Sequence, residues 1–507
     1  MLPIRLCLCL LLGFLLGLSN LYIALRLGFT VGVAILTAFC WAGLDRMLCF
    51  VFRGWSPLSP SDHACFLSFS SAMSYGCGTV VATSLAALLM ADPEPPPGWL
   101  LALWVSGICG LGTCLALPLR KRMLDQLPFP SGRVASETVI RISKKTEDMR
   151  PFLLSLGGVW GWVGLRDLAG LIPQRFPMHQ LSLQFQPLLI GLGALLGPRT
   201  CLSMFAGSCA FLLAEQMLPN DSSPRILWFA VGTMVSAGLI DFFRSLGGTN
   251  KIIGKTSPSE LPYYRFTLVS CSFLLATVHL VGFGFSLSTF ILVPLLVWLF
   301  AAVSCRVTGE TDVVPTGALG KLSILLFGLA GSGGGGAMAA TGVLTGGAAA
   351  SADFVNDLRC GAGLNCPVER QFRYQLAGAM IGPLLLVPVF LILIEGPNIL
   401  GGEVFPAPAA QIWLQVSRMV DAQNLSGVQI FVLGLAAGGV GHFVCQRFPW
   451  MPSPVPFAMA AVLDWSTTFT LLVGAGIGYR VPKRLGFPIW CAMIAGESAV
   501  ALLILLS

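Results

Sequence analysis

Apolar runs of about 20 residues, the length a helix needs to cross a bilayer, follow one another along nearly the whole chain and are parted by short polar turns. Residues 6–25, 28–41, 64–90, 98–119 and 151–171 are five such runs, and each is read as a membrane helix. The first follows Arg5 in the manner of a leader peptide, but it continues into Asn20, Tyr22 and a second run, so it is kept as a span. Residues 186–217 are too long for one upright helix and break at Gly197-Pro198-Arg199, which predicts two shorter tilted helices or a re-entrant pair. Residues 226–246 form another run, and 266–305 are long enough for two spans joined near Gly282 and Gly284. After Lys321 the chain turns glycine-rich through Gly347. Such small residues let helices touch or, alternatively, mark an unwound segment. A span follows at 374–394, then an amphipathic segment to about residue 420, then spans at 428–444, 454–479 and 485–506. The pattern predicts an all-α polytopic membrane protein of about 14 to 16 transmembrane or broken helices.

Composition agrees. Of 507 residues, 55% are hydrophobic and 10% charged, against about 25% charged in soluble chains. The formal charge of +7 is modest and lies in loops, which argues against a nucleic-acid partner. The densest cluster lies between Arg120 and Arg150, and the positive-inside rule places it in the cytoplasm. Four spans precede it, so the N-terminus is cytoplasmic as well, and the acidic turn at Asp92 falls outside. The 16 cysteines form no CxxC pair and no cluster with histidine, so they read as small apolar packing residues. His63, His179, His279 and His442 make no ligand spacing. No cofactor is expected.

One stretch organises the chain. Leu127-Pro-Phe-Pro-Ser-Gly-Arg-Val-Ala-Ser-Glu137 closes the basic loop and opens a short helix. Pro130 suits a first helical turn, Ser131 can cap it, and Gly132 permits close approach of another backbone or a ligand. Free N–H groups at such a helix start attract an anion. The device recurs: Phe129-Pro-Ser-Gly132 is matched by Phe405-Pro-Ala-Pro408, and weaker correspondences follow in the same order. The order predicts two repeat-like halves, 1–265 carrying the Pro-Ser-Gly stretch and 266–507 carrying the Phe-Pro-Ala-Pro segment. Transporters built this way hold substrate where broken helices meet. The helix starts at Pro130 and Pro406 are expected to face one central cavity.

Several blocks together carry a family likeness. They are Gly17-Leu-Ser-Asn-Leu-Tyr-Ile-Ala-Leu-Arg-Leu-Gly-Phe-Thr30, Pro128-Phe-Pro-Ser-Gly132 with Ala135 and Glu137, and Asp353-Phe-Val-Asn-Asp-Leu-Arg-Cys-Gly361 through Gln371. Phe405-Pro-Ala-Pro-Ala-Ala-Gln411, Pro452-Ser-Pro-Val-Pro-Phe-Ala-Met459 and Ala495-Gly-Glu497 complete the set. The chain resembles the oligopeptide transporter (OPT) family, including its yellow stripe-like branch. It departs from that pattern at Arg133 and at Val462-Leu-Asp-Trp465. The resemblance implies a symporter importing short oligopeptides with protons. Uptake of metal chelates or siderophores is the alternative, and a membrane-embedded transferase a remote one. The expected partners are the solute, protons and lipid, and the absence of a cleavable leader or large soluble domain favours a plasma membrane or bacterial inner membrane. Homo-oligomerisation is left open.

On this reading Phe129, Pro130, Ser131, Gly132, Arg133, Phe405, Pro406, Ala407, Pro408 and Gln411 are the candidate substrate-binding residues. Ionisable groups inside spans are costly and default to functional hypotheses. Glu497, Glu137, Glu310, Asp353 and Asp357 are the candidate proton-coupling acids. Glu497 stands most isolated from charge, while Asp353 and Asp357 share a helical face at i, i+4. Bland alternatives stand beside several of these: a solvated turn for Glu310 with Asp312, and ion pairing with Arg359 or Arg370 for the two aspartates. Asp464, which follows the Pro-Ser-Pro block, is a further acid with an interface place as its bland reading.

Overall fold

The computed structural model describes residues 2–28, 30, 34–52, 54–91, 95–143, 150–173, 176–178, 181–217, 264–283, 287–312, 314–330, 334–395, 399–402, 405–421, 426–448 and 450–506, with parts of 225–240. The expected span at 226–246, the basic loop at 244–265 and the turn at Asp92 lie mostly outside the described residues.

The chain divides into two compact units, Met1–Thr146 with Phe242–Gln423 and Glu147–Asp241 with Asn424–Ser507. Each therefore draws one segment from each part of the sequence. Among the described residues, eight helices are long and apolar enough to cross a membrane, or nine when one sharply bent pair is taken as a single span. The protein is an all-α polytopic membrane protein, and its described residues include a short ribbon of two antiparallel strands, Phe176–Met178 and Leu181–Leu183.

The first unit opens with α1 (Leu2–Leu27) and α2 (Ala34–Val51). Helix α3 (Pro60–Ala91) starts where chemistry demands it. Ser59 accepts from the Asp62 N–H at 3.1 Å, Asp62 accepts from the Ser59 N–H at 3.3 Å, and Pro60 takes the first position. A π-helical turn, Val81–Leu85, interrupts α3. Helix α4 (Gly98–Gln126) and the short amphipathic α5 (Pro130–Ser143) follow. The later segment supplies α9 (Tyr264–Gly282), α10 (Leu287–Thr311), α11 (Thr316–Leu329), α12 (Gly334–Gly363), α13 (Val368–Leu393) and the amphipathic α14 (Pro408–Asp421). From Gly334 onward the glycine-rich run is one continuous helix, while Gly331, Ser332 and Gly333 lie outside the described residues.

Helices α3, α4, α12 and α13 pack on one another as the core of this unit. Around them the packing is matched in pairs: α1 lies on α3 as α10 lies on α12, and α2 lies on α5 as α11 lies on α14.

The second unit holds α6 (Arg150–Val163, extended by a π-helical turn Gly164–Leu168), α7 (Pro187–Leu196), α8 (Pro198–Met217), α15 (Ser426–Arg447), α16 (Pro454–Met459), α17 (Trp465–Arg480) and α18 (Lys483–Leu506). Helices α7 and α8 meet at 117°, broken at Gly197 with φ +86°. This is the break expected at Gly197-Pro198. Helix α18 packs on α6 and α7, and α17 on α7 and α8.

Candidate functional site

In the first unit Phe129 is fully buried with φ 42°, a left-handed value costly for a non-glycine residue. Its N–H donates to the Gly309 carbonyl in the last turn of α10 at 3.1 Å, and Pro130 then begins α5. The donors at this helix start are not free. Ser131 donates from its N–H to Asp312 Oδ1 at 3.2 Å, and its hydroxyl donates to the other Asp312 oxygen. The Gly132 N–H donates to Asn356 Oδ1 at 2.9 Å. A Cβ on Gly132 would stand 2.2 Å from the Asn356 carbonyl oxygen, so this position needs glycine. The anion expected at the helix start is supplied by the protein's own Asp312. Asp312 lies beyond the end of α10, and burial holds its carboxyl above the ordinary range while the Ser131 bonds pull the other way.

The second device is built alike but shifted by two residues. Ala407 carries the left-handed φ, 45°, and its N–H donates to the Leu25 carbonyl in the last turn of α1 at 2.7 Å. The helix then starts at Pro408 and not at Pro406. Gln411 secures the preceding loop, donating to the carbonyls of Pro406 at 2.8 Å and Gly401 at 3.1 Å. Phe405 is buried, edge-on to Tyr22. The corresponding pairs are therefore Phe129-Pro130 and Ala407-Pro408. The first ties the start of α5 to the end of α10, and the second ties the start of α14 to the end of α1, so each links its amphipathic helix to a helix of the other segment.

Asp353 and Asp357 lie one turn apart on α12, 5% and 0% exposed. Among the described residues no basic group pairs with either. Arg359 donates instead to the Leu124 carbonyl, and Arg370 pairs with Asp62. The Ser71 hydroxyl reaches Asp353 Oδ1 at 3.1 Å. Gln371 donates to Ser68 Oγ at 2.8 Å and to the Asp357 carbonyl at 2.7 Å. The Gln375 amide nitrogen belongs toward the Ser68 carbonyl at 2.8 Å and Asp357 Oδ2 at 3.1 Å, where only acceptors surround it. The atom of Gln375 then facing Asp353 Oδ2 at 3.4 Å is its carbonyl oxygen. Two acceptors so placed are reconciled by a proton on the carboxyl.

A family model described as OPT oligopeptide transporter protein matches residues 5–215 and 258–507. The chain belongs to the OPT family. This OPT protein is also 29% identical over 182 residues to a rice protein (Oryza sativa subsp. japonica) named "Probable metal-nicotianamine transporter YSL8". That match takes in 33% of this chain and 26% of the relative's length. The OPT protein is thus an integral multi-pass membrane protein of a transporter family.

The remaining candidate acids of this OPT protein stand elsewhere. Glu137 pairs with Arg133 at 3.2 Å and with Arg141 at 3.9 Å, on a surface where the Arg133 side chain is 67% exposed. Glu310 belongs to the last turn of α10, and its side chain lies outside the described residues. Glu497, expected to stand apart from charge, does not. Within the second unit it accepts from Arg166 Nη2 at 2.8 Å and from the Leu188 N–H, at the start of α7, at 2.7 Å. Arg166 also grips Asp167 at 2.7 and 2.8 Å. Asp464 sits at the N-terminus of α17.

Sequence reasoning missed Asn356, Ser71, Gln371 and Gln375, because neutral polar residues in a helix leave no signal of what they face. It also passed over Lys321, which is 2% exposed. There a signal existed: Lys321 is the one charged residue between Asp312 and Asp353.

Proposed function

We propose that this OPT protein is a proton-coupled secondary transporter of a small peptide-like solute, and that Asp353 and Asp357 carry the proton. The observation behind this is the buried pair itself. It consists of two carboxyl groups one turn apart with no cationic partner among the described residues, one of them facing an amide carbonyl oxygen. Two like charges cannot both be held there in a dry helix core, so at least one proton resides on the pair. A group that must hold a proton in one state and release it to water in another is what a symporter needs. Glu497 is less suited, because its charge is matched by Arg166 and by the α7 N-terminus. The two Phe-Pro segments, Phe129–Arg133 and Phe405–Gln411, are proposed to border the solute path, and the two sequence halves, 1–265 and 266–507, to be repeats of one plan. The N-terminus is proposed to face the cytoplasm, from the basic loop 120–150.

Two solute classes fit a proton-driven path: a free short peptide, and a metal ion wrapped by an amino-acid-derived chelator. The rice relative's name favours the chelate. The test is uptake by purified protein in liposomes under an inward proton gradient, with a di- to pentapeptide mixture and a metal–nicotianamine complex presented separately. Accumulation that collapses with the gradient is expected for one class, and Asp353→Asn or Asp357→Asn is expected to abolish it. Undiminished gradient-driven accumulation in both variants would sink the assignment of the proton.

A further inference from the structure

We propose that Lys321 and the buried N–H of Trp413 form a binding site for a carboxylate group of the transported solute. This deepens the transport reading and rests on it for the identity of the ligand.

Lys321 lies on α11, and no hydrogen bond or ion pair ties it to any of the described residues. An ammonium group buried without a partner is one of the most costly arrangements a fold can hold. The preceding residue, Gly320, packs against the indole of Trp413 on α14; a Cβ there would stand 2.0 Å from Cζ2 and 2.3 Å from Cε2, the carbon that bears Nε1. Nε1 of Trp413 is itself buried and has no acceptor. On α12, the buried Thr341 hydroxyl is likewise unpartnered. Helices α11 and α12 are joined through residues 330–333 and pack together. Lys321 and Thr341 each lie about eight or nine residues in sequence from that connection, on two helices that pack together. Next to Thr341, Gly342 touches Ser84, within the π-helical turn of α3. Such turns occur frequently at functional sites.

An ammonium and an indole N–H only donate, and a hydroxyl can donate as well. Three unsatisfied groups biased this way ask for an acceptor-rich, negatively charged ligand. A carboxylate fits by charge and by lone-pair count. Peptides and amino-acid-derived chelators both carry one. Trp413 lies on the helix that Pro408 opens, two residues beyond Gln411, so the site adjoins the Phe-Pro-Ala-Pro segment.

The test compares wild type, Lys321→Met and Lys321→Arg in the purified full-length protein. Equilibrium binding is measured for trialanine, trialanine amide and a zinc–nicotianamine complex, and proton-driven uptake is measured in parallel. Trialanine or the chelate is expected to bind the wild type at least tenfold more tightly than the amide binds. Lys321→Met is expected to erase that preference and Lys321→Arg to retain part of it. Equal binding of acid and amide forms by the wild type, no binding of any probe, or an unchanged preference in Lys321→Met would overturn the site. Binding with the expected preference but without gradient-driven uptake would leave the site standing and remove the symport reading. Uptake unaffected by Lys321→Met would do the reverse. Because methionine has similar length and no charge, its thermal midpoint is expected to equal or exceed that of wild type, whereas a lysine needed only for packing would lower it on replacement. Should the variant fail to fold, the acid–amide comparison in the wild type still decides.

Discussion

Single residues in this protein differ in what they can lose. Glu497 and Arg166 form a buried pair that also holds the α7 N-terminus, and Glu497→Gln leaves half of that unmatched. Breaking such a pair costs about 3–5 kcal/mol, so thermal unfolding in detergent is expected to fall by several degrees. Proton coupling in the surviving protein is expected to persist; its loss would move the proton site to Glu497. Asp312 gives a pH signature. Its carboxyl is raised by burial, so its contribution to stability is complete below the ordinary carboxylate value of about 4 and is lost as pH rises through the raised folded-state value. Asparagine tolerates the left-handed φ of 62° at this position and can still accept from Ser131. Asp312→Asn is therefore expected to flatten the decline in thermal midpoint between pH 4 and 7. A decline equal to that of wild type would show that Asp312 does not cause it. Gly132→Ala is expected to abolish folding or transport, since its methyl would overlap the Asn356 carbonyl. Expression at wild-type level with full uptake would contradict the packing described.

At the scale of the element, the two amphipathic helices begin with the same local construction. A left-handed residue donates its N–H to the end of another helix, and proline then starts the new helix. The left-handed region costs a non-glycine residue roughly 1–2 kcal/mol, which the tied N–H and the buried surroundings offset. Ala407→Gly is expected to be near neutral in thermal unfolding, because strain relief opposes the added chain entropy of glycine. Ala407→Val is expected to lower the midpoint clearly, since a β-branched residue fits that region worst. A tolerated valine would mean that the loop takes another conformation. The Phe-Pro repeat was visible in the sequence, but its register was not. The motif pairs Phe129 with Phe405, whereas the backbone pairs Phe129 with Ala407, because helix entry is set by where the N–H finds its carbonyl and not by which letters recur.

Across the whole molecule, each unit is woven from both parts of the sequence. Helices α3 and α4 bury their faces against α12 and α13, so neither half can complete that core alone. Residues 1–265 and 266–507 expressed separately are expected to be unstable, and co-expressed they are expected to copurify through a tag on one of them. A stable, monodisperse N-terminal half by itself would contradict this packing. The sequence determined the class, the order of helices, the break at Gly197-Pro198 and the family, because these follow from local hydrophobicity, proline, glycine and short motifs. It also placed Asp353 and Asp357 among the candidate proton-coupling acids. Only the tertiary structure decided which acid has its charge balanced. Arg166 meets Glu497 from 331 positions away, Arg370 goes to Asp62, and the α12 pair and Lys321 are left without counter-charges among the described residues. Whether a buried charge is matched depends on which distant helices pack together, and no local pattern in the chain records that.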